Sequence, residues 1–388
     1  MLLFRGIFIL KQKNIYYHYK IKSQDGQLIL KLPITIIKMK KISLLFIAIS
    51  LFSCKGDKKP ATGPQMFLET VDVDSTNIKQ LMAIESFIVQ NPNSEEGYYQ
   101  RAKYRLENNE LEGAFLDINK AMKLAPKNPD INLTKGLIYI NKGELDKGIP
   151  FLERTLDLDS LHTEGNLELA YYYLAAKNYE LSFTLINRVI QKDRFLAKPY
   201  YLKGLWYEQK GNDALAISSY QTAVERNPGY YEAYLALGTI HDRLNNPLAI
   251  QYFNSAIAVW PNSIEAWRAK GMSFYDHQDF EEAIVCFDTI LSFDSAFEVS
   301  YFDIGRTLID LCYVENPKAK NDSLLTEAIT NFDKALAINS NYVPARYNRA
   351  LCLEEQGKVD LAAIEYKAIL SSEPNYEPAI KALNRLER

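Results

Sequence analysis

Histidine, cysteine and aspartate, on which catalytic and metal sites most often depend, form no recognisable constellation in this 388-residue chain. Beyond residue 54 only His162, His241 and His277 remain, and they are far apart in sequence. The HExxH, GxSxG and phosphate-loop patterns, typical of metalloproteases, serine hydrolases and nucleotide-binding enzymes, are missing. We therefore expect a protein that is not an enzyme, with no catalytic residue, no cofactor and no small-molecule substrate.

One short segment resembles the beginning of a calcium-binding loop. Asp72 and Asp74 have the spacing of its first two ligands. Asn77, however, stands where such a loop needs glycine, and Ala83 where it needs a bidentate glutamate. The sequence therefore predicts no metal site.

Charge is distributed unevenly along the chain. Residues 1–54 contain nine lysines and arginines and one acid, whereas residues 55–388 contain 36 basic and 47 acidic side chains. A net charge of −11 over the body disfavours binding to a nucleic-acid polyanion. We therefore expect no nucleic-acid partner.

Cys54 is the residue with the most specific chemical context. Met39-Lys40-Lys41 precedes an apolar run over residues 42–52, and Ser53-Cys54 follows that run. This order is typical of a secretory signal, and eleven apolar residues are too few to span a bilayer as a helix. The segment before Cys54 resembles the lipobox of bacterial lipoproteins, although Phe52 departs from the commonest small residue. The resemblance implies that Cys54 carries a diacylglyceryl thioether.

A start at Met39 divides the N-terminal part of the chain into three segments. Residues 1–38 would be a mis-assigned extension and residues 39–53 a signal peptide. Residues 54–76, rich in glycine and proline after the cysteine, would be a flexible tether. The alternative is a cytosolic protein in which residues 42–52 form a buried helix or strand.

The rest of the chain repeats itself at a period near 34 residues, which is the main signal for the fold. Two small residues recur in each unit, and a large apolar residue follows the second by four positions. Small residues let two helices approach closely, and proline then ends the second helix in four units. The second small residues are Ala114, Gly148, Ser182, Ala216, Ala249, Ala283, Ala328 and Ala362, and the large ones are Ile118, Leu152, Ile186, Tyr220, Phe253, Phe287, Phe332 and Tyr366.

This pattern resembles the tetratricopeptide repeat, and the segment Gly204-Leu-Trp-Tyr207 with Ala216, Tyr220, Ala223 and Pro228 is a near-complete copy. The resemblance implies an all-α fold, a right-handed α-solenoid of about eight helix-turn-helix repeats with terminal caps. We place the units at residues 77–94 (partial repeat and cap), 95–128, 129–162, 163–196, 197–230, 231–263, 264–297, 298–342, 343–376 and 377–388 (capping helix). The 298–342 unit has an insertion near residues 313–323, which we interpret as a neutral surface loop.

Three cysteines fall on predicted helices of the repeats. Cys286, Cys312 and Cys352 fit the pattern of small buried apolar residues. Adjacent repeats bring first helices together, so a disulfide between Cys312 and Cys352 stays open as an alternative.

In tetratricopeptide repeats the first helices line a groove, and the resemblance therefore implies a partner-binding strip on them. The Lys and Asn clamp of chaperone-adaptor members, which binds a terminal carboxylate, is not present at the matching positions. An apolar strip of this kind indicates a protein partner, and the alternative is that the curvature of the solenoid or the chain's own residues 67–73 cover it. Its predicted residues are Tyr99, Leu133, Leu137, Leu167, Tyr171, Tyr201, Leu205, Leu235, Arg268, Met272, Phe302, Arg306 and Tyr347.

Together these features predict a non-catalytic scaffold that is held at a membrane by lipidated Cys54 and binds a segment of an envelope protein. Lys55, after the lipidation site, is not the aspartate that retains lipoproteins of enteric bacteria in the inner membrane, so the resemblance implies the outer membrane. The alternative is a cytoplasmic adaptor or co-chaperone without lipidation. A second alternative, an enzyme with a cryptic site, has no cluster of titratable residues in its favour.

Overall fold

The computed structural model describes residues 5–8, 17–24, 27–30, 75–315 and 322–386. Cys54, Asp72, Asp74, the predicted signal peptide and nearly all of the predicted tether lie outside these residues. The chain divides into two compact units, residues 1–165 and 166–388.

The first unit begins with three strands, β1 (Arg5–Phe8), β2 (Tyr17–Gln24) and β3 (Gln27–Leu30). They form an antiparallel sheet in the order β1-β2-β3, with Arg5 opposite Lys20 and Ile21 opposite Leu30. These strands lie in the segment predicted to be an extension, so the all-α architecture applies to the described residues from 75 onward.

The helices of the first unit follow in antiparallel pairs. They are α1 (Ser75–Gln90), α2 (Glu95–Glu107), α3 (Leu111–Leu124), α4 (Pro129–Asn141) and α5 (Leu145–Leu158). Helix α1 begins at Ser75, so its first two residues fall within the predicted tether. It packs against α2, as expected for the second helix of a partial repeat.

The second unit continues the same alternation to the C-terminus. Its helices are α6 (Thr163–Ala175), which crosses the boundary, α7 (Tyr179–Lys192), α8 (Lys198–Gln209), α9 (Asp213–Arg226), α10 (Tyr231–Arg243), α11 (Leu248–Val259), α12 (Ile264–Asp276), α13 (Phe280–Phe293), α14 (Glu298–Glu315), α15 (Asp322–Ile338), α16 (Val343–Glu355), α17 (Val359–Ser372) and α18 (Glu377–Leu386). One helix pair lies within each of the eight predicted repeat ranges, and the all-α tetratricopeptide solenoid architecture is confirmed for these helices.

The residues singled out by the repeat form the core. All eight of the large apolar residues are at most 1% exposed, from Ile118 to Tyr366. A Cβ atom at Gly136 would lie 3.0 Å from the carbonyl oxygen of Gly148, and one at Gly204 would lie 2.4 Å from the Tyr220 ring. The small residues are therefore required because a neighbouring helix or ring occupies the space that a side chain would need.

In each hairpin turn that the structure describes between paired helices, the first helix ends with similar backbone geometry. A residue with positive φ follows the first helix, and its amide donates back into the helix, as Gly211 does to Glu208 O at 2.9 Å. Such a left-handed residue is a common way to end a helix. In the pair α6 and α7 the same position is taken by Lys177, with φ 61°. The other residues are Asn109, Gly143, Gly211, Asn245, Gln278 and Gly357.

The ends of the insertion predicted near residues 313–323 are helical in the structure. Helix α14 extends to Glu315 and α15 begins at Asp322, leaving only residues 316–321 outside the described helices. Cys312 and Leu325, which flank the insertion, are each 2% exposed, whereas Tyr313 and Val314 within it are 46% and 57% exposed. The described inserted residues therefore lie at the surface, in helical conformation.

Candidate partner-binding surface

Fewer residues of the predicted strip are accessible in the structure than the sequence implies, because three of its leucines are buried. Leu133 on α4, Leu167 on α6 and Leu235 on α10 are 6%, 2% and 9% exposed. Side chains so deeply packed offer little area to a partner. Within the first unit this leaves Tyr99 and Leu137 partly exposed.

In the second unit the remaining predicted residues are all partly exposed. We call this set the first-helix face; it comprises Tyr171, Tyr201, Leu205, Arg268, Met272, Phe302, Arg306 and Tyr347. They lie on α6, α8, α12, α14 and α16, and α14 contacts α16 directly. The face combines aromatic and apolar area with two guanidinium groups.

Three of its aromatic residues, Tyr201, Phe302 and Tyr347, are each held between two other rings. Tyr201 lies 5.7 Å from the Tyr220 ring of the second helix and 5.2 Å from the Tyr230 ring before the next first helix. The corresponding distances are 6.1 and 5.4 Å for Phe302, and both are 5.7 Å for Tyr347. Contacts on two sides fix each ring and lower the entropy lost when a partner packs on it.

The third ring of each arrangement was not predicted from the sequence. These rings are Tyr230, Tyr342 and Tyr376, and each lies just before or at the start of the following helix. The signal that could have found them is the 29-residue spacing from Tyr201 to Tyr230 and from Tyr347 to Tyr376. Burial raises the pKa of Tyr342 to about 12 and that of Tyr201 well above its usual value, so these phenols stay neutral.

The two arginines of the face lie around a buried carboxylate that the sequence analysis also missed. Asp303 on α14 is 0% exposed and accepts from Arg268 Nε at 2.7 Å and Arg268 Nη2 at 3.4 Å. Arg306 Nη2 is 3.9 Å from Asp303 Oδ1. The guanidinium of Arg306 lies 4.2 Å from the Tyr275 ring centroid and 3.2 Å from the Met272 sulfur.

Two acidic side chains, Glu265 on α12 and Glu232 on α10, lie on neighbouring first helices. Burial raises the pKa of Glu265 on α12 from 4.5 to about 7, with a further contribution from Glu232 on α10. Tyr231 Oη donates to Glu265 at 3.5 Å and lies 2.6 Å from Ser263 Oγ. The carboxyl group is therefore near its titration midpoint at neutral pH.

The histidines take part in structural contacts. His162 Nδ1 accepts from the amide of Gly165 at 3.1 Å, and its Nε2 is 3.1 Å from Asp130. His241 is 6% exposed and stacks on Tyr252 at 5.1 Å, and burial lowers its pKa.

Cys286, Cys312 and Cys352 are buried thiols, and burial raises the pKa of Cys352 to about 12. Cys312 and Cys352 therefore do not form the disulfide left open above. Among the described residues no group of three histidine, cysteine or acidic side chains could hold a metal ion. None of the helices in this part of the chain is long and apolar enough to cross a membrane.

The fold and the first-helix face are those of a protein built from tandem helical hairpins. In each hairpin, side chains of the first helix contribute to one surface. Two family models, both described as "Tetratricopeptide repeat", match this chain. One matches residues 242–292 and 323–378, and the other residues 129–160 and 197–230. The chain therefore contains tetratricopeptide repeats. Such repeats act as protein-interaction scaffolds, which supports a non-catalytic, protein-binding role.

Similar curated proteins have varied names. The peroxisomal targeting signal receptor of Saccharomyces cerevisiae is 24% identical over 298 residues, 76% of this chain and 42% of that protein. A DnaJ homolog subfamily C member 7 homolog of Dictyostelium discoideum is 22% identical over 58% of this chain and 36% of its own length. The chain thus spans less than half the length of these relatives.

Among solved structures, the APC/C complex Cut9–Hcn1 has a TM-score of 0.48 at 18% identity, covering 81% of this chain and 60% of that chain. A tetratricopeptide repeat protein from Parabacteroides merdae has a TM-score of 0.45 at 15% identity, covering 67% and 99%.

Proposed function

We propose that this protein is a non-catalytic scaffold that binds a segment of an envelope protein on the first-helix face. We further propose that lipidated Cys54 holds it at the membrane. The observation that carries the binding proposal is the set of half-buried aromatic rings on that face. Three of them, Tyr201, Phe302 and Tyr347, are each fixed from two sides, and each keeps part of its surface accessible.

Rings held in this way suit the binding of an extended or helical segment. Tyrosine and phenylalanine supply a large contact area and, already ordered, lose little side-chain entropy on binding. Tyr171, Tyr201 and Leu205 lie on α6 and α8, whereas Phe302 and Tyr347 lie on α14 and α16. A partner segment that follows the first helices would meet apolar area first and the two arginines further along.

The binding proposal is tested by a crosslinked pull-down from membranes with the tethered protein as bait. We expect the double variant Tyr171→Ala, Tyr201→Ala to lose the crosslinked partner. Tyr200→Ala is the matched control, because Tyr200 lies on the same helix as Tyr201 and donates instead to Arg194 O at 3.1 Å. Recovery of the partner by the double variant at the level of wild type would refute the assignment of this face.

The anchoring proposal rests on the order of basic residues, apolar run and Ser53-Cys54 in the sequence. Several acyl chains, at about 0.8 kcal/mol per buried CH₂, would anchor the protein stably. Cell fractionation of wild type, Cys54→Ala and the control Cys286→Ala tests it. We expect only Cys54→Ala to leave the membrane, and the wild type to sediment with outer membranes. Wild-type protein in the soluble fraction would favour the cytoplasmic adaptor or co-chaperone instead.

A further inference from the structure

Arg306 is a cation whose hydrogen-bonding capacity its surroundings leave largely unused. Its side chain is 29% exposed, and its Nε is buried without a hydrogen-bond partner in the described part of the chain. The Met272 sulfur lies 3.2 Å from Arg306 Nη2, and the guanidinium lies 4.2 Å and 5.9 Å from the ring centroids of Tyr275 and Phe302. Sulfur is a weak acceptor and a ring face attracts the charge without accepting a directed hydrogen bond.

Acidic groups near Arg306 are already occupied by other donors. Asp303 receives two hydrogen bonds from Arg268, the shorter at 2.7 Å, whereas Arg306 reaches it only at 3.9 Å. Asp310, one turn further along α14, accepts from the hydroxyl of Tyr275. Buried N–H groups are normally hydrogen-bonded, so the unpartnered Nε and the exposed part of the Arg306 guanidinium favour an acceptor from outside.

We infer that Arg306, with Arg268 beside it, binds the side-chain carboxylate of an aspartate or glutamate in the partner segment. The inference rests on the proposed function and adds the chemistry of one contact to it. Arg268 uses Nε and Nη2 for Asp303 and is 38% exposed, so Nη1 is left for a second hydrogen bond. The carboxylate would enter a partly dry site beside Tyr275 and Phe302, where charge-assisted hydrogen bonds are strong.

The fit is one of charge as well as geometry. Two guanidinium groups share the buried carboxylate of Asp303 and Asp310 accepts from Tyr275, so among the described residues the positive charge of Arg306 has no hydrogen-bonded carboxylate of its own. An acidic side chain neutralises that charge, whereas a glutamine or asparagine of the same shape does not. The difference in affinity between a peptide with the acidic side chain and the same peptide with the amide is therefore the property that tests the site.

The test is a selection of peptides from a random twelve-residue display library on purified wild-type protein. We expect the enriched peptides to share an aspartate or glutamate at one position. The best sequence is then synthesised with an amidated C-terminus, which removes a terminal carboxylate as the anion. On wild type, replacing its acid by the corresponding amide should weaken binding at least tenfold.

On Arg306→Gln the acidic and amide peptides should bind within about twofold of each other. Arg226→Gln, on α9 beside Phe195, is the matched control and should keep the full discrimination. Circular dichroism melting checks that both variants are folded, and Arg306→Lys should restore part of the preference because it restores the charge. An acid effect that is equal on wild type and Arg306→Gln would overturn the inference.

Two further outcomes separate this inference from the proposed function. Peptides that lose binding with Tyr171→Ala, Tyr201→Ala but contain no common acidic residue would leave the binding face in place and overturn the carboxylate site. A selection that enriches no peptide on the wild type would overturn both.

Discussion

The carboxyl group of Glu265 gives a sharp prediction, because it links a single side chain to the pH dependence of stability. Burial raises its pKa from 4.5 to about 7 in the folded protein. An acid whose pKa is higher folded than unfolded binds its proton more tightly in the folded state, so it destabilises the fold as pH rises. Glu265→Gln removes the titration while keeping the shape of the side chain.

The magnitude follows from the two pKa values. At roughly 1.4 kcal/mol per pH unit, the difference between 4.5 and about 7 corresponds to about 3 kcal/mol. The carboxyl group keeps some contact with water, so we expect about 2 kcal/mol in practice. The cost is absent below pH 4.5, grows between pH 4.5 and 7, and is complete above pH 7.

The assay is urea unfolding of wild type and Glu265→Gln at pH 5 and pH 8, supported by hydrogen exchange in α12. We expect the variant to be more stable than wild type at pH 8 by about 2 kcal/mol, with most of this gain lost at pH 5. Glu282→Gln, an exposed acid on α13, is the matched control and should show neither effect. Equal pH dependence in wild type and Glu265→Gln would refute the burial argument.

Three further substitutions test how the repeats are built. Gly204→Ala places a Cβ against the Tyr220 ring and should cost about 1–3 kcal/mol in urea unfolding; a neutral result would contradict the close approach of α8 and α9. Lys177→Gly removes the side chain from a residue with left-handed backbone geometry, so it should raise the free energy of unfolding by about 1 kcal/mol. We expect to see this as a higher melting temperature. Asp303→Asn breaks the buried ion pair with Arg268 and should lower the free energy of unfolding by about 2–3 kcal/mol. This value is below that of a fully buried ion pair because Arg268 is partly exposed. Unchanged unfolding would show that the ion pair contributes nothing to stability.

The sequence by itself determined the repeat and its helices. A period of 34 residues, small residues at two positions and a large apolar residue after the second are local requirements of two helices packing closely. Every repeat meets these requirements in the same way, so one alignment of the chain with itself predicts all eight helix pairs. Gly204 and Tyr220 illustrate this, since their contact follows from spacing alone.

Only the tertiary structure decided which residues of the first helices remain accessible. Leu133, Leu167 and Leu235 have the same register as Tyr201, yet neighbouring side chains cover them. The burial of Asp303 and the partly dry surroundings of Arg306 likewise depend on α12, α14 and α16 together. Exposure is a property of packing between repeats, which involves side chains about 34 residues apart, and no pattern within one repeat specifies it.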